Sequence, residues 1–248
     1  MRFRLTLLLA CSAASGLAAQ AAGKFPPDSL VNVKVIPRGT PLTQVIGTMR
    51  NYTSALGARC QYCHVGREGL PLEEFDFASD EKRTKLVARQ MMQMVQEINR
   101  RLDTMPTSDS AGLQVTCGTC HRGLNRPVPL SALMEQVASA SGADSAVRAY
   151  KALRERYYGG DTYNFKEPSL NIAAFRLGRA SRFAEAFALL DLNETLFPRS
   201  SGMYVFRGNI KLMQGDTLAA AKAYREAVRL DPANEEAKGR LRNIGQQP

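Results

Sequence analysis

At 248 residues, with 44% hydrophobic and 23% charged side chains, the chain has the make-up of a globular protein and room for one large domain or two small ones. No apolar run beyond residue 20 approaches the roughly 18 residues that a membrane span needs. The formal charge is +10, yet no basic run is interleaved with aromatics, which argues against nucleic acid as a partner. The surplus reads as a solvated basic surface able to steer acidic partners.

The first 21 residues have the layout of a secretory signal peptide: Arg2 and Arg4, an apolar run from Leu5 to Ala10, and small residues for cleavage at Ala19-Gln20-Ala21. Cleavage there leaves a mature chain of about eight surplus positive charges, expected in the periplasm with no transmembrane span. Leu8-Leu9-Ala10-Cys11 also resembles a lipobox, in which Cys11 is lipidated and becomes the new N-terminus. That alternative leaves only about six apolar residues before the cut, short of the usual 7–15. Both readings export the protein.

Residues 41–56 read as a helix closed by Gly57, which suits a left-handed C-cap. Met49, Tyr52 and Leu56 share one face at i, i+3, i+7. A short turn, Gly57-Ala58-Arg59, leads into Cys60-Gln61-Tyr62-Cys63-His64. A second helix is expected from an N-cap at Ser79-Asp80 to about Leu102, with an apolar stripe through Val87, Met91, Met94, Val95 and Ile98. A looser stretch then reaches Cys117-Gly118-Thr119-Cys120-His121.

These two pentapeptides use both histidines of the chain and every cysteine except Cys11. Cys-x-x-Cys-His reads as covalent attachment of haem c: one helical turn separates the sulfurs, each forms a thioether to a vinyl group, and the adjacent His reaches the iron. A zinc finger would carry its histidine pair on a separate helix. A thioredoxin-like pair would follow a strand pattern that neither motif has. Two haem c groups are therefore expected, held by Cys60 and Cys63 and by Cys117 and Cys120, with His64 and His121 as axial ligands. With no histidine left over, the remaining common sixth ligand is Met, which raises the reduction potential. Met49 is the candidate for the first haem; Met91 and Met94 are those for the second, with Met105 as an outsider.

The stretch from about Phe25 to Pro129 resembles the cytochrome c subunit of photosynthetic reaction centres of the purple-bacterial type. The resemblance rests on Met49-Arg50-Asn51-Tyr52-Thr53-Ser54-Ala55-Leu56-Gly57 before the first motif, on Ala88-Arg89-Gln90-Met91-Met92-Gln93-Met94-Val95 with Ile98-Asn99, and on Val115-Thr116-Cys117-Gly118-Thr119-Cys120-His121-Arg122-Gly123. In that family each repeat is a helix bearing the distal Met, a turn, and a helix opening with the attachment motif. The resemblance implies Met49 and Met91 as iron ligands. It departs in haem number, since that subunit carries four haems, one of them ligated by two histidines.

From about residue 143 the sequence becomes Ala-rich and helical. Pro198 and Pro232 stand 34 residues apart, the tetratricopeptide period. Residues 201–234 place Tyr204, Gly208, Gly215, Ala220, Tyr224, Ala227 and Pro232 at that repeat's positions, and residues 167–200 fit more loosely. A degenerate unit is suggested at 143–160, and a capping helix at 234–244.

The expected protein is mostly α: a signal peptide (1–21), a di-haem cytochrome domain (22–135) and a tetratricopeptide-like repeat domain (143–245). Its expected function is periplasmic electron transfer, with no bond-making catalysis. The expected partners are a redox protein or membrane electron-transfer complex, and a peptide or protein on the repeats. A haem peroxidase, with Glu73, Glu74 or Asp76 as acid–base group, and a redox or gas sensor are the alternatives.

Overall fold

The computed structural model describes residues 24–106 and 112–247; the expected signal peptide (1–21) and Cys11 lie outside the described residues. Among those residues the regular structure is helical, apart from one isolated bridge between Val65 and Asp76. The chain divides into two compact units. The first holds the described residues up to Arg50 and from Arg59 to Leu113; the second holds Asn51–Ala58 and the chain from Gln114 onward.

In the first unit, α1 (Leu42–Leu56) begins, and its last turns belong to the second unit. Gly57 closes it at φ 57°, as its position in the sequence suggests. The four-residue α2 (Cys60–Cys63) carries the first Cys pair. A 3-10 turn at Leu72–Glu74 precedes α3 (Arg83–Leu102).

The expected N-cap at Ser79-Asp80 is not observed; Lys82 holds that position and the helix begins at Arg83. Local turn bonds and the ion pairs of Asp80 take the groups that would have capped it. Asp76 accepts from the Ala78 and Ser79 N–H groups at 2.9 and 2.8 Å, and the Ser79 hydroxyl accepts from Glu81 N–H at 3.2 Å. Asp80 pairs with Arg89 instead of with a helix N-terminus. The segment stays non-helical because Asp76 and Ser79 bond the local backbone and Asp80 is held by ion pairs.

The second unit contains the short α4 (Cys117–His121) and seven further helices: α5 (Leu130–Ser141), α6 (Ala143–Tyr157), α7 (Pro168–Arg179), α8 (Phe183–Leu196), α9 (Ser201–Met213), α10 (Thr217–Leu230) and α11 (Glu235–Asn243). α5 packs on α6 and α7, α7 on α8, α9 on α10, and α10 on α11. Tight left-handed corners, Ser181 at φ 58° and Gly215 at φ 79°, fold α7 back on α8 and α9 on α10. Leu130, Met134, Tyr150, Leu170, Leu189 and Met203 lie in one core, and Val205, Ala220, Tyr224 and Leu241 in a second. Each large aliphatic side chain so buried contributes about 1.5–3 kcal/mol.

Gly208 lets α9 and α10 close. A Cβ there would lie 2.3 Å from the ring of Tyr224, which is itself fully buried with its hydroxyl 2.8 Å from Asn209 Oδ1. Gly208→Val is expected to lower stability by about 2–3 kcal/mol through overpacking, read as a fall of several degrees in the thermal unfolding of the helical signal. An unchanged midpoint would contradict this packing.

Candidate functional site: two Cys-x-x-Cys-His helices

In the first unit, α2 is tied to the start of α3. The Lys82 ammonium donates to the carbonyl of Gln61, and the Thr84 hydroxyl to that of Tyr62. These bonds satisfy carbonyls that a four-residue helix leaves without intrahelical partners. His64 follows in extended conformation and meets the Phe77 ring edge-on, with centroids 4.9 Å apart. Phe25 and Phe75 flank Phe77 at 5.5 and 5.6 Å, giving an aromatic wall on that side.

Burial is the main cause that holds His64 down to about 4, helped by Lys85, Lys82 and Arg89 and opposed by a backbone interaction with Phe77. The ring is therefore neutral at pH 7 and keeps a lone pair for a metal. Its Nδ1 is buried without a hydrogen-bond partner.

In the second unit, α4 opens with a Thr116–Thr119 capping pair, in which Thr116 N–H donates to Thr119 Oγ1 at 3.0 Å. Arg122 (φ 48°) and Gly123 (φ 83°) then reverse the chain. The reversal places the Leu124 carbonyl 2.7 Å from His121 Nδ1. A proton on Nδ1, donated to that carbonyl, leaves the lone pair on Nε2, the tautomer of a metal-binding imidazole. Thr162 donates to the Arg122 carbonyl at 2.9 Å, and Leu124 packs on the helical core, so this turn is fixed from outside.

The last turn of α1 also packs on this second motif. Gly123 N–H donates to the Ala55 carbonyl at 2.9 Å, and Ala55 Cβ lies 3.9 Å from where a Cβ on Gly118 would stand. A Cβ on Gly57 would lie 2.1 Å from the Gly123 oxygen. Tyr52, on the same stretch, has its hydroxyl pushed up by burial and then by Cys117. Sequence reasoning assigns this helix end to the first motif alone; the glycines at 57 and 123 are the signal that it also serves the second.

Met49 is half-buried on α1 in the first unit. Met91 and Met94 stand on one stripe of α3, also in the first unit, and are 39% and 48% exposed; Val87 beside them is 45% exposed. Met105 is exposed beyond the end of that helix.

The residues fit haem c in three respects. Each motif sets two thiols one helical turn apart with an imidazole next to them, and these side chains do not converge on one point as a metal chelate would require. Burial pushes the Cys63 and Cys117 thiols up, whereas a dithiol redox centre needs a thiolate. Among the described residues before Leu130 only Lys85 is buried. About a hundred residues of ordered helix and turn thus have no buried apolar side chain, while the apolar stripe of α3 stands open, a pattern suited to packing on a large flat apolar group.

A family description, the photosynthetic reaction centre cytochrome C subunit, matches residues 12–156. Cytochrome c-554 of Chloroflexus aurantiacus is 37% identical over 92 residues, which is 37% of this chain and 20% of that protein. The photosynthetic reaction center cytochrome c subunit of Rubrivivax gelatinosus is 43% identical over 70 residues, 28% of this chain and 15% of that protein. The matched stretches thus span a fifth or less of these curated relatives. No solved structure matches.

Proposed function

The chain belongs to the photosynthetic reaction centre cytochrome c subunit family, and from that premise we propose that it is an exported electron carrier holding two covalent haem c groups. The observation that carries this reading is the pair of Cys-x-x-Cys-His helices, with His121 fixed through Nδ1 so that Nε2 is free to ligate. Cys60 and Cys63 hold one group and Cys117 and Cys120 the other, with His64 and His121 on the proximal sides. Bound there, each iron supplies reversible one-electron exchange between its ferrous and ferric states.

The protein's own part is to fix the ligands and keep water out. Lys82 and Thr84 hold α2 in place; Thr162 and Leu124 hold the turn after α4. Met49 and Met91 are the distal ligands in this reading, closing each iron to substrate and leaving electron transfer as the activity. The partner is a membrane electron-transfer complex or soluble redox protein outside the cytoplasmic membrane. No helix among the described residues is long and apolar enough to cross a membrane. The α7–α11 hairpins serve as a tetratricopeptide-like docking module for a protein or peptide, and a groove between α9 and α10, edged by Arg207, Lys211, Lys222 and Arg229, is its candidate contact surface.

Protein matured with haem-attachment machinery should show two covalent haems per chain in the pyridine haemochrome assay, low-spin spectra with a thioether–iron charge-transfer band, and no response to carbon monoxide. Met49→Leu should open the first site to carbon monoxide with both haems still attached, and Met91→Leu the second. A wild-type high-spin haem that binds carbon monoxide would defeat the double His/Met assignment and favour a peroxidase or gas sensor.

A further inference from the structure

Among the described residues of the first unit, the most enclosed is a lysine. Lys85, 8% exposed, donates to the carbonyls of Phe77, Ala78 and Ser79 at 2.9, 3.0 and 2.7 Å, and lies 3.2 Å from Asp80 Oδ1. Asp80 is shared with Arg89 at 2.9 Å, so two cations face this one carboxylate, while Asp76 is taken up by the Ala78 and Ser79 N–H groups of the same loop. Arg89 also donates to the Asn32 carbonyl at 3.0 Å, and Asn32 donates to that of Ala78 at 2.6 Å, closing the cage. Phe77 joins this cage to the candidate iron ligand: its carbonyl holds the ammonium while its ring packs on His64.

The second motif is built differently. The His121 Nδ1 proton is donated to a carbonyl, which increases the electron density on the ligating nitrogen and favours ferric iron. His64 Nδ1 makes no such hydrogen bond; the Phe77 backbone acts on the ring, but less than burial and Lys85 do. The cation next to His121, Arg122, is exposed, where solvent screens it. A buried positive charge near an iron favours the ferrous state, because the low local dielectric leaves it unscreened. Both differences act in the same direction.

Resting on the two-haem reading above, we propose that the Cys60–Cys63–His64 haem is the electron acceptor of the pair and that Lys85 is a positioning charge that raises its potential. The step moves one electron from the second site to the first and neither forms nor breaks a bond.

A potentiometric titration of the doubly loaded protein, followed by absorbance, tests this. Met49→His marks the first-site midpoint, since imidazole in place of thioether lowers it. The marked midpoint is expected to be the higher of the two in the wild type. Lys85→Gln should lower it and leave the other in place; Lys85→Arg should largely keep it. Should Lys85→Gln accumulate poorly, Asp80→Asn leaves the ammonium and removes its counter-charge, and should raise the same midpoint. A marked midpoint that is the lower one, or that neither substitution moves, overturns the inference while the two-haem reading stands. One haem per chain would bring down both.

Discussion

Gly57→Ala is expected to destabilise the haem-loaded protein by about 3 kcal/mol. Two costs add. At φ 57° the backbone is left-handed, which costs an L side chain about 1–2 kcal/mol. The new Cβ would also stand 2.1 Å from the backbone oxygen of Gly123, which no side-chain rotation relieves. One of the two turns must move, at a further cost of about 1–3 kcal/mol. Gly69 provides the control, since it sits at φ 86° with open space around its Cβ position. Thermal unfolding of both variants, followed at the haem bands, should show a clearly larger drop for Gly57→Ala. Equal drops would mean that the contact with Gly123 contributes nothing.

The second large effect is on cofactor content. Exchanging Cys117 and Cys120 together for serine should reduce the covalent haem from two per chain to one, measured by pyridine haemochrome against protein mass. The helical signal of α5–α11 should survive, because the side chains buried in their two cores begin at Leu130 and include none from α4. The complementary exchange of Cys60 and Cys63 should give the same count with the opposite site retained. Loss of both haems from either double variant would show that attachment at one motif depends on the other, contrary to the separate fixation of α2 and α4.

The two Cys-x-x-Cys-His motifs are legible in the sequence because they are local. The two pentapeptides fix the spacing of sulfurs and imidazole within five residues, and Gly57 ends α1 by a conformation that its lack of a Cβ permits. The start of α3 is not legible. Ser79 and Asp80 are good caps by type, but Asp80 is engaged by Lys85 and Arg89, five and nine residues away, and local pattern carries no trace of that competition. α5 is a different case. Leu130, Leu133, Met134 and Val137 have helical spacing after Pro129, yet no helix is assigned there from sequence and the expected domain end at 135 falls inside it; Leu130 and Met134 are buried. The Arg122–Gly123 reversal lies between: a glycine after His121 hints at a turn, but only the fold shows the Leu124 carbonyl brought onto the imidazole.

The near absence of buried apolar side chains before Leu130 also bears on biogenesis. A polypeptide collapses when its own hydrocarbon can be hidden from water, and α5–α11 can do that as soon as they are synthesised. The stretch carrying the two Cys-x-x-Cys-His motifs leaves its apolar side chains only partly covered, so on this reading it stays a pliable client until porphyrin is supplied. That order would keep each Cys-x-x-Cys-His accessible to the ligating machinery after the cores of α5–α11 have packed. It also builds in quality control: a chain that leaves maturation without its pigment exposes a loose N-terminal half to degradation, so the surviving pool is enriched in loaded carriers.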